Sequence, residues 1–515
     1  MALPLPDLIA SLPCAEVEGL RPEAQLEGQT DIAVEAITCD SRQVEPGSLF
    51  VAYRGVSVDG HDYIPQALAR GAVALVVERA GRDWGVPSIV VPDGREALAY
   101  LSSAWYGFPA QTLTVIGVTG TDGKTTTCNL LHSILSVAGR RAGLITTVNA
   151  VIGERVIDTG FHTTTPDAPQ VQRYLAEMVT AGMEVAVLEA TSEGLAQHRL
   201  SACDFDVAVV TNITHEHLYF HGTLEAYRQA KTILFHHLTR GQRKPGVPKV
   251  AVLNADDDSF HYLRQEEADR QLTYSIAGAA DVIATCIRPG ALETRFTVQS
   301  PAGDFELRTA MPGDYNVANI LAATSAALAL GVPVDAIQRG VEAVRNIVGR
   351  MERIDEGQDF VAIVDFAHTP NALEQALRTA RALTRGRLIA VFGSAGERDV
   401  GKRAWMGKIG AELADLIVLT AEDPRTESVD DILAEMARGA RASGAVEGDS
   451  YFCVPDRAEA IQFAVDLAQS GDVVITCGKG HERSMCYGSV ETPWSEHEAL
   501  RAALQRRQAG SGRAS

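Results

Sequence analysis

The 515-residue sequence has no closely spaced cysteine pair: Cys14, Cys39, Cys128, Cys203, Cys286, Cys453, Cys477 and Cys486 are scattered singly. That argues against a thiolate zinc site and a disulfide framework, and fits reduced thiols in a cytoplasmic protein. Long apolar runs are also missing; none approaches the ~18 uncharged residues of a membrane span. The opening MALPLPDLIASLPC places no basic residue before its apolar stretch, so no signal peptide is expected. Positive charge is scarce, with 46 Lys and Arg against 66 Asp and Glu, a net charge of −20. Such a surface repels nucleic acid and anionic membrane, although a local basic pocket can still take a phosphate-bearing small molecule. Solenoid repeats and low-complexity blocks are absent too. What is present is an ordinary globular composition, 46% hydrophobic and 22% charged, with enough apolar material for sizeable cores.

At ~150 residues per domain the length predicts three or four domains. Three blocks are expected: residues 1–110, 111–345 and 346–515. The first carries the strand-like runs LFVAY, ALVVE and SIVVP. The second opens on LTVIGV, a glycine turn and the helical TTCNLLHSILSVAG, then continues through EVAVLEA and DVAVVTN. Its stretch DYNVANILAATSAALAL reads as a helix with Asp314 near the N-cap and Gly331 past the end. The third holds FVAIVDFAH, RLIAVFGSAG, LIVLTAEDP and VVITCGKGH. Continuous apolar strands alternating with helices predict an α/β fold with parallel sheets covered on both faces. In such sheets ligands gather at the carboxyl ends of strands, which is where the informative polar residues fall.

The sharpest motif is GVTGTDGKTTT, residues 117–127, between a strand and a helix. Glycine-turn N–H groups cradle phosphates at a helix N-terminus, Lys124 would neutralise terminal phosphates, and Thr125 would ligate Mg²⁺. The strict pattern wants glycine where Val118 stands. His215, His217 and His221 suggest a zinc triad at first sight, though an oxygen-rich Mg²⁺ site suits phosphate chemistry better. From the residues alone, Lys231 reads as a surface lysine lying along its helix beside Leu234.

TGTDGKTT takes the form found in the Mur ligase family. The sequence resembles that family over roughly residues 30–505, through CDSRQVEPGSLFVA, VSVDGHDYI, TTTPDA, LEATSEGLAQHRL, TNITHEHLYFHGTLEAYRQAK, GDYNVANILAA, GRMERI, VDFAHTPNAL, VFGSAGERDVGKR, AEDPRTE and GKGHE in one order. The resemblance is nearest to members that add a diamino acid to UDP-N-acetylmuramoyl-L-alanyl-D-glutamate in peptidoglycan synthesis. It implies a UDP-sugar-binding domain, a central phosphate-loop ATPase domain and a C-terminal Rossmann-like amino-acid domain. The implied cofactors are ATP and Mg²⁺, and the implied partners are the UDP-sugar dipeptide and a diamino acid, with no nucleic acid and no membrane insertion. A monomer is expected.

The resemblance assigns site residues by motif. ATP would be held by Gly120, Thr121, Asp122, Gly123, Lys124, Thr125, Thr126, Asn319, Arg350, Asp365 and His368. Lys124, Glu189, His217 and Lys231 would be catalytic, with Thr125, Glu189, His217 and a carbamylated Lys231 as Mg²⁺ ligands. The nucleotide-sugar dipeptide would lie on Cys39, Ser41, Val56, Ser57, Val58, Thr163, Thr164, Thr165, Thr191, Gln197 and Arg199. The amino acid would meet Arg398, Glu422, Asp423, Pro424, Arg425, Gly478 and Glu482, whose guanidiniums suit carboxylates and whose acids suit an ammonium.

Several positions depart from the family's usual pattern. Glu193 replaces a histidine, Glu216 and Tyr219 replace two aspartates, Phe366 lacks a tyrosine hydroxyl, and DNPR is here EDPR. Arg425 favours meso-diaminopimelate, whose distal carboxylate it would pair, while the doubled acid Glu422–Asp423 favours the distal ammonium of ornithine or lysine. Three other readings are a folylpolyglutamate- or cyanophycin-type ligase, a generic phosphate-loop kinase, and a non-catalytic nucleotide-binding paralogue. CDSRQVEPG and GKGHE argue against the first; the carboxyl-terminal motifs argue against the second. Intact Lys124, Glu189, His217 and Lys231 argue against the third.

Overall fold

Apolar runs buried on both faces build three separate parallel sheets. The computed structural model describes residues 2–12, 32–55, 58–80, 82–159, 165–214, 218–290 and 293–511. Near the N-terminus, Ala36–Thr38, Ser48–Val51, Ala74–Val77 and Ser88–Val90 pair in chain order, all parallel. Helix Gly94–Trp105 covers this sheet; Asp93 caps it by accepting from the N–H groups of Arg95 and Glu96.

The central sheet has eleven strands. Seven run parallel in the order Ala142–Ile145, Val185–Glu189, Thr114–Thr119, Val207–Val210, Val250–Asn254, Arg270–Ser275 and Val282–Pro289. Antiparallel strands finish both edges: Asn149–Ile152 with Arg155–Asp158, and Thr294–Gln299 with Phe305–Thr309. Continuous apolar runs alternating with helices predict parallel sheets, and these edge strands depart from that pattern. The edges differ because one of their faces meets solvent, as the strict in–out alternation along Phe305–Thr309 shows. Helix Lys124–Val137 packs on helices Asp314–Ala329 and Val334–Ala343. In the first of these, Ala322, Ala323, Ala326 and Ala327 are fully buried, small enough for close approach. Asp314 lies inside that helix; the N-cap position is Gly313.

The third sheet runs Glu352–Ile354, Val361–Val364, Val473–Thr476, Leu388–Phe392, Leu416–Leu419, Tyr451–Cys453, parallel except at its first strand. Its last strand in sequence is inserted between two earlier ones, opening the kind of crevice in which such sheets hold ligands. Among the described residues, no helix is long and apolar enough to cross a membrane.

Candidate active site

The phosphate loop is shaped by close packing as much as by hydrogen bonds. A side chain at Gly120, where φ is +149°, would collide with Thr211 Oγ1, and one at Gly123, where φ is +83°, would collide with Asn319 Oδ1. Both positions therefore require glycine. Val118, by contrast, is a fully buried strand residue; the chain turns later, so glycine is not needed there. The Thr211–Thr214 segment straps the loop down. Thr121 N donates to Asn212 O at 2.7 Å, Asp122 N to Asn212 Oδ1 at 3.0 Å, and Thr211 Oγ1 to Asp122 O at 2.6 Å.

Register sets Glu189 beside this loop, since it pairs with Val118 in the neighbouring strand. Its buried carboxylate accepts from Thr125 Oγ1 at 2.9 Å and faces Thr147 N at 3.3 Å. Lys124 Nζ donates to Thr121 O at 2.7 Å. Burial lowers its pKa, with Glu189 and Asp122 pulling the other way. Lys231 is buried, contrary to the surface position that its residue type suggested: the helix Leu224–Arg240 turns it inward, 1% exposed. Its Nζ donates to Gly120 O at 2.5 Å and sits 4.6 Å from the Tyr227 ring centre. Burial, then the charge of Lys124, holds its pKa well below the usual lysine value.

The third sheet closes over this loop. Arg350 Nη2 donates to Thr125 Oγ1 at 3.2 Å while its guanidinium lies 4.6 Å from the Phe366 ring. Phe366 thus keeps a role without the missing hydroxyl, as a platform for Arg350 that also stacks near His368 and His481. Asp365 accepts from Met351 N and Ala367 N, each at 2.7 Å, so it fixes the backbone under Arg350. Burial pushes its pKa up. His368 and His481 are each held down to about 3, by burial first, then by Lys402 and Arg350 respectively.

Several contributors were not singled out from the sequence, although all stand within quoted motifs. Asn371 Nδ2 donates to Asp122 Oδ2 at 2.9 Å across the two sheets' domains, and Lys402 Nζ donates to His368 O at 2.8 Å. Lys479, fully buried, pairs with both Asp423 at 2.9 Å and Glu482 at 2.5 Å. Asp423 also accepts from Cys486 N at 3.0 Å. Glu422 differs: Oε2 is buried with no hydrogen-bond partner among the described residues, and burial raises its pKa, opposed by Lys402. The Arg425 backbone pairs with Cys486 and Gly488 at φ +54°, and its buried Nε is unpartnered in the same sense.

One cavity of about 1070 Å³ joins the two walls. It is lined by Thr121–Thr126, Glu189, Thr191, Asn319, Arg350, Asp365 and His368, and also by Arg398, Glu422, Asp423, Arg425, Gly478 and Glu482. Pro424 is buried, and Lys231 lies beneath the loop, donating to Gly120 O. Of the described residues assigned to the nucleotide-sugar dipeptide, Thr191 lines this cavity, whereas Cys39, Ser41, Val58, Thr165, Gln197 and Arg199 do not. Tyr53 OH reaches Cys39 Sγ at 3.7 Å, Ser41 Oγ donates to Gln66 at 2.9 Å, and Val58 is exposed. Thr165 and Thr191 share a hydrogen bond of 2.9 Å, and Arg199 reaches Thr165 O at 2.5 Å and Gln197 at 3.0 Å. Val56, Ser57, Thr163, Thr164, His215, Glu216 and His217 lie outside the described residues.

The donors Thr125 Oγ1 and Glu189 Oε2, 2.9 Å apart, suit a hard cation. Among the described residues no cluster of three or more His, Cys, Asp or Glu forms a metal cage. An ion bound by one carboxylate, a hydroxyl and substrate phosphates has no need of one.

Comparison with known proteins agrees with this geometry. Residues 33–106 match the Mur ligase family catalytic domain, 118–327 the Mur ligase middle domain, and 349–480 the Mur ligase glutamate ligase domain. The chain is 46% identical to a UDP-N-acetylmuramyl-tripeptide synthetase of Roseiflexus sp., covering 92% of this chain and 94% of that protein. It is 41% identical to the UDP-N-acetylmuramoyl-L-alanyl-D-glutamate–2,6-diaminopimelate ligase of Bacillus licheniformis, covering 93% and 96%. A solved structure of a ligase with that same name superposes with a TM-score of 0.66 at 31% identity, over 99% of this chain and 100% of the other. The chain therefore belongs to the Mur ligase family, with its three-domain α/β architecture and its ATP-dependent formation of an amide bond.

Proposed function

We propose that this ligase joins a diamino acid, meso-diaminopimelate, to the D-glutamate γ-carboxylate of UDP-N-acetylmuramoyl-L-alanyl-D-glutamate in cytoplasmic peptidoglycan synthesis. The observation that carries the reading is the shared cavity, in which phosphate-binding and amino-acid-binding groups face each other. A carboxylate does not react with an amine at neutral pH until it is activated. ATP supplies the activation: its γ-phosphoryl group passes to the carboxylate, and the amine displaces phosphate from the resulting acyl phosphate. Two anions meet in the first step, so Lys124 and Arg350 serve by neutralising charge where it develops. Mg²⁺ would supply further charge neutralisation, held by Thr125, Glu189, His217 and a carbamylated Lys231. A buried lysine with a depressed pKa keeps the neutral amine that CO₂ requires, which supports the carbamate. Residues 1–110 would bind the UDP-sugar, 111–345 ATP and 346–515 the amino acid.

The choice of acceptor follows from charge accounting. Lys479 satisfies both Asp423 and Glu482, so the doubled acid of EDPR is not a doubled free charge. Among the described residues of the EDPR and GKGHE loops, Glu422 Oε2 and Arg425 Nε are two buried polar atoms on the cavity wall that have no hydrogen-bond partner. One acid and one guanidinium fit the distal ammonium and carboxylate of diaminopimelate. Ornithine or lysine would leave Arg425 without a partner. The test is to follow ADP and tripeptide product with ATP, Mg²⁺, the UDP-sugar dipeptide and each diamino acid. Release of ADP that requires both co-substrates is expected. A folded protein that binds them yet converts no acceptor would mark a non-catalytic paralogue instead.

A further inference from the structure

Glu422–Arg425 and Gly478–Glu482, the two halves of the acceptor wall, follow strands Leu416–Leu419 and Val473–Thr476. Those strands are not neighbours, because Leu388–Phe392 runs between them. No sheet hydrogen bond therefore sets the distance between the loops. The Lys479–Asp423 ion pair joins the loops through side chains, and a guanidinium spans the gap at the backbone. Arg457, at the start of helix Arg457–Leu467, donates from Nη1 to Ala421 O at 3.0 Å and from Nη2 to Cys477 O at 2.7 Å. These carbonyls immediately precede Glu422 and Gly478. From behind, Nε and Nη2 reach the two oxygens of Glu496 at 2.8 and 2.7 Å, with both side chains fully buried. Trp494 Nε1 donates to the same carboxylate at 2.9 Å.

A buried ion pair is a weak source of stability, since the loss of hydration offsets the attraction, and well-packed apolar residues often replace one without loss. What apolar residues or a lysine cannot reproduce is a planar fork that holds a carboxylate and two carbonyls in fixed directions. We propose that Arg457, oriented by Glu496, is a positioning residue that sets the spacing of the two acceptor loops. The inference rests on the reading that these loops receive the diamino acid. It also couples the C-terminal helix Glu496–Ser511 to the pocket through that helix's first residue.

Steady-state kinetics with each substrate varied tests this. Glu496→Asp keeps both charges and draws the guanidinium back by one methylene. The double variant Arg457→Met with Glu496→Leu removes the charges, keeps the apolar packing and leaves Ala421 and Cys477 unbridged. Because misplacement by ~1 Å is costly, KM for the diamino acid should rise about tenfold or more in both. KM for ATP should stay within about twofold, and the double variant should unfold as cooperatively as the natural protein. An acceptor KM unchanged in either folded variant, or an equal rise for ATP, would overturn the proposal. Arg425→Ala separates the two claims. If it leaves the acceptor KM unchanged, the loops are not the acceptor pocket; if it raises KM while Glu496→Asp does not, only the positioning role fails.

Discussion

The two walls of the cavity are built on different principles. The phosphate wall is one contiguous segment, Gly120–Thr126, wedged between Thr211 and Asn319 and strapped by backbone hydrogen bonds. Its polar groups satisfy each other at short range, and its one cation, Lys124, donates to Thr121 O with Glu189 and Asp122 nearby. The acceptor wall is gathered from three strand ends far apart in sequence, and several of its charges are matched in buried pairs, Glu422 and Arg425 standing apart from them. Asp423, Glu482 and Lys479 form one such group; Arg457 and Glu496 form another. On the function proposed above, the first wall holds triphosphate whatever the acceptor, and the second selects the amino acid through Glu422 and Arg425.

This contrast can be broken most severely at Lys124. Lys124→Ala should lower turnover by about 1000-fold or more for every acceptor alike, as ADP release will report, because it removes charge stabilisation common to all of them. Loss with one acceptor only would place Lys124 on the selecting wall. Lys231→Ala should cost about 100-fold and regain part of its activity with an added short carboxylic acid that stands in for the missing oxygen ligand. Full activity in the unrescued variant would end the carbamate reading.

A smaller effect is expected where the walls touch. Asn371→Asp sets a second carboxylate against Asp122 and should raise KM for ATP about fivefold, with Asp122→Asn in the same chain reversing most of the change. Failure of the second substitution to compensate would mean that this contact does not help close the domains.

Acid should separate the walls as well. His368 and His481, both beside Phe366 in the third-sheet domain, stay neutral down to about pH 3 in the folded chain, whereas an unfolded histidine protonates near 6.5. Between those values the unfolded state binds more protons, so stability falls as pH drops, by at most about 1.4 kcal/mol per unit for each histidine. Tm should decline from pH 7 to pH 5. Amide exchange should rise around Asp365–Thr369 and Gly478–Glu482 before helix Lys124–Val137.

The same contrast explains what was legible in the sequence. The parallel strands and the phosphate loop announced themselves, because a continuous apolar run and a contiguous glycine turn are local properties. Glu189 could be set beside the loop because strand order fixes it. The burial of Lys231 was not readable from its helix, whose polar and apolar residues leave either face open to it; packing beneath Gly120 decides it. Nor could the charge state of EDPR be read, since its neutralising partner Lys479 stands 56 residues away. Arg457 carried no signal, for its partners are two backbone carbonyls and a distant glutamate.

We propose that a fixed phosphate wall works with an acceptor wall whose Glu422 and Arg425 choose the amino acid. It is tested most directly by the ratio of kcat/KM for meso-diaminopimelate to that for ornithine and lysine, in the natural protein and in Arg425→Ala. Leaving one member of a bidentate, partly buried pair unmatched costs several kcal/mol, so the ratio should be about 30-fold or more in favour of diaminopimelate. It should collapse toward unity in the variant, with KM for ATP unmoved. A natural protein that prefers ornithine or lysine, with a ratio that Arg425→Ala leaves unchanged, would contradict it.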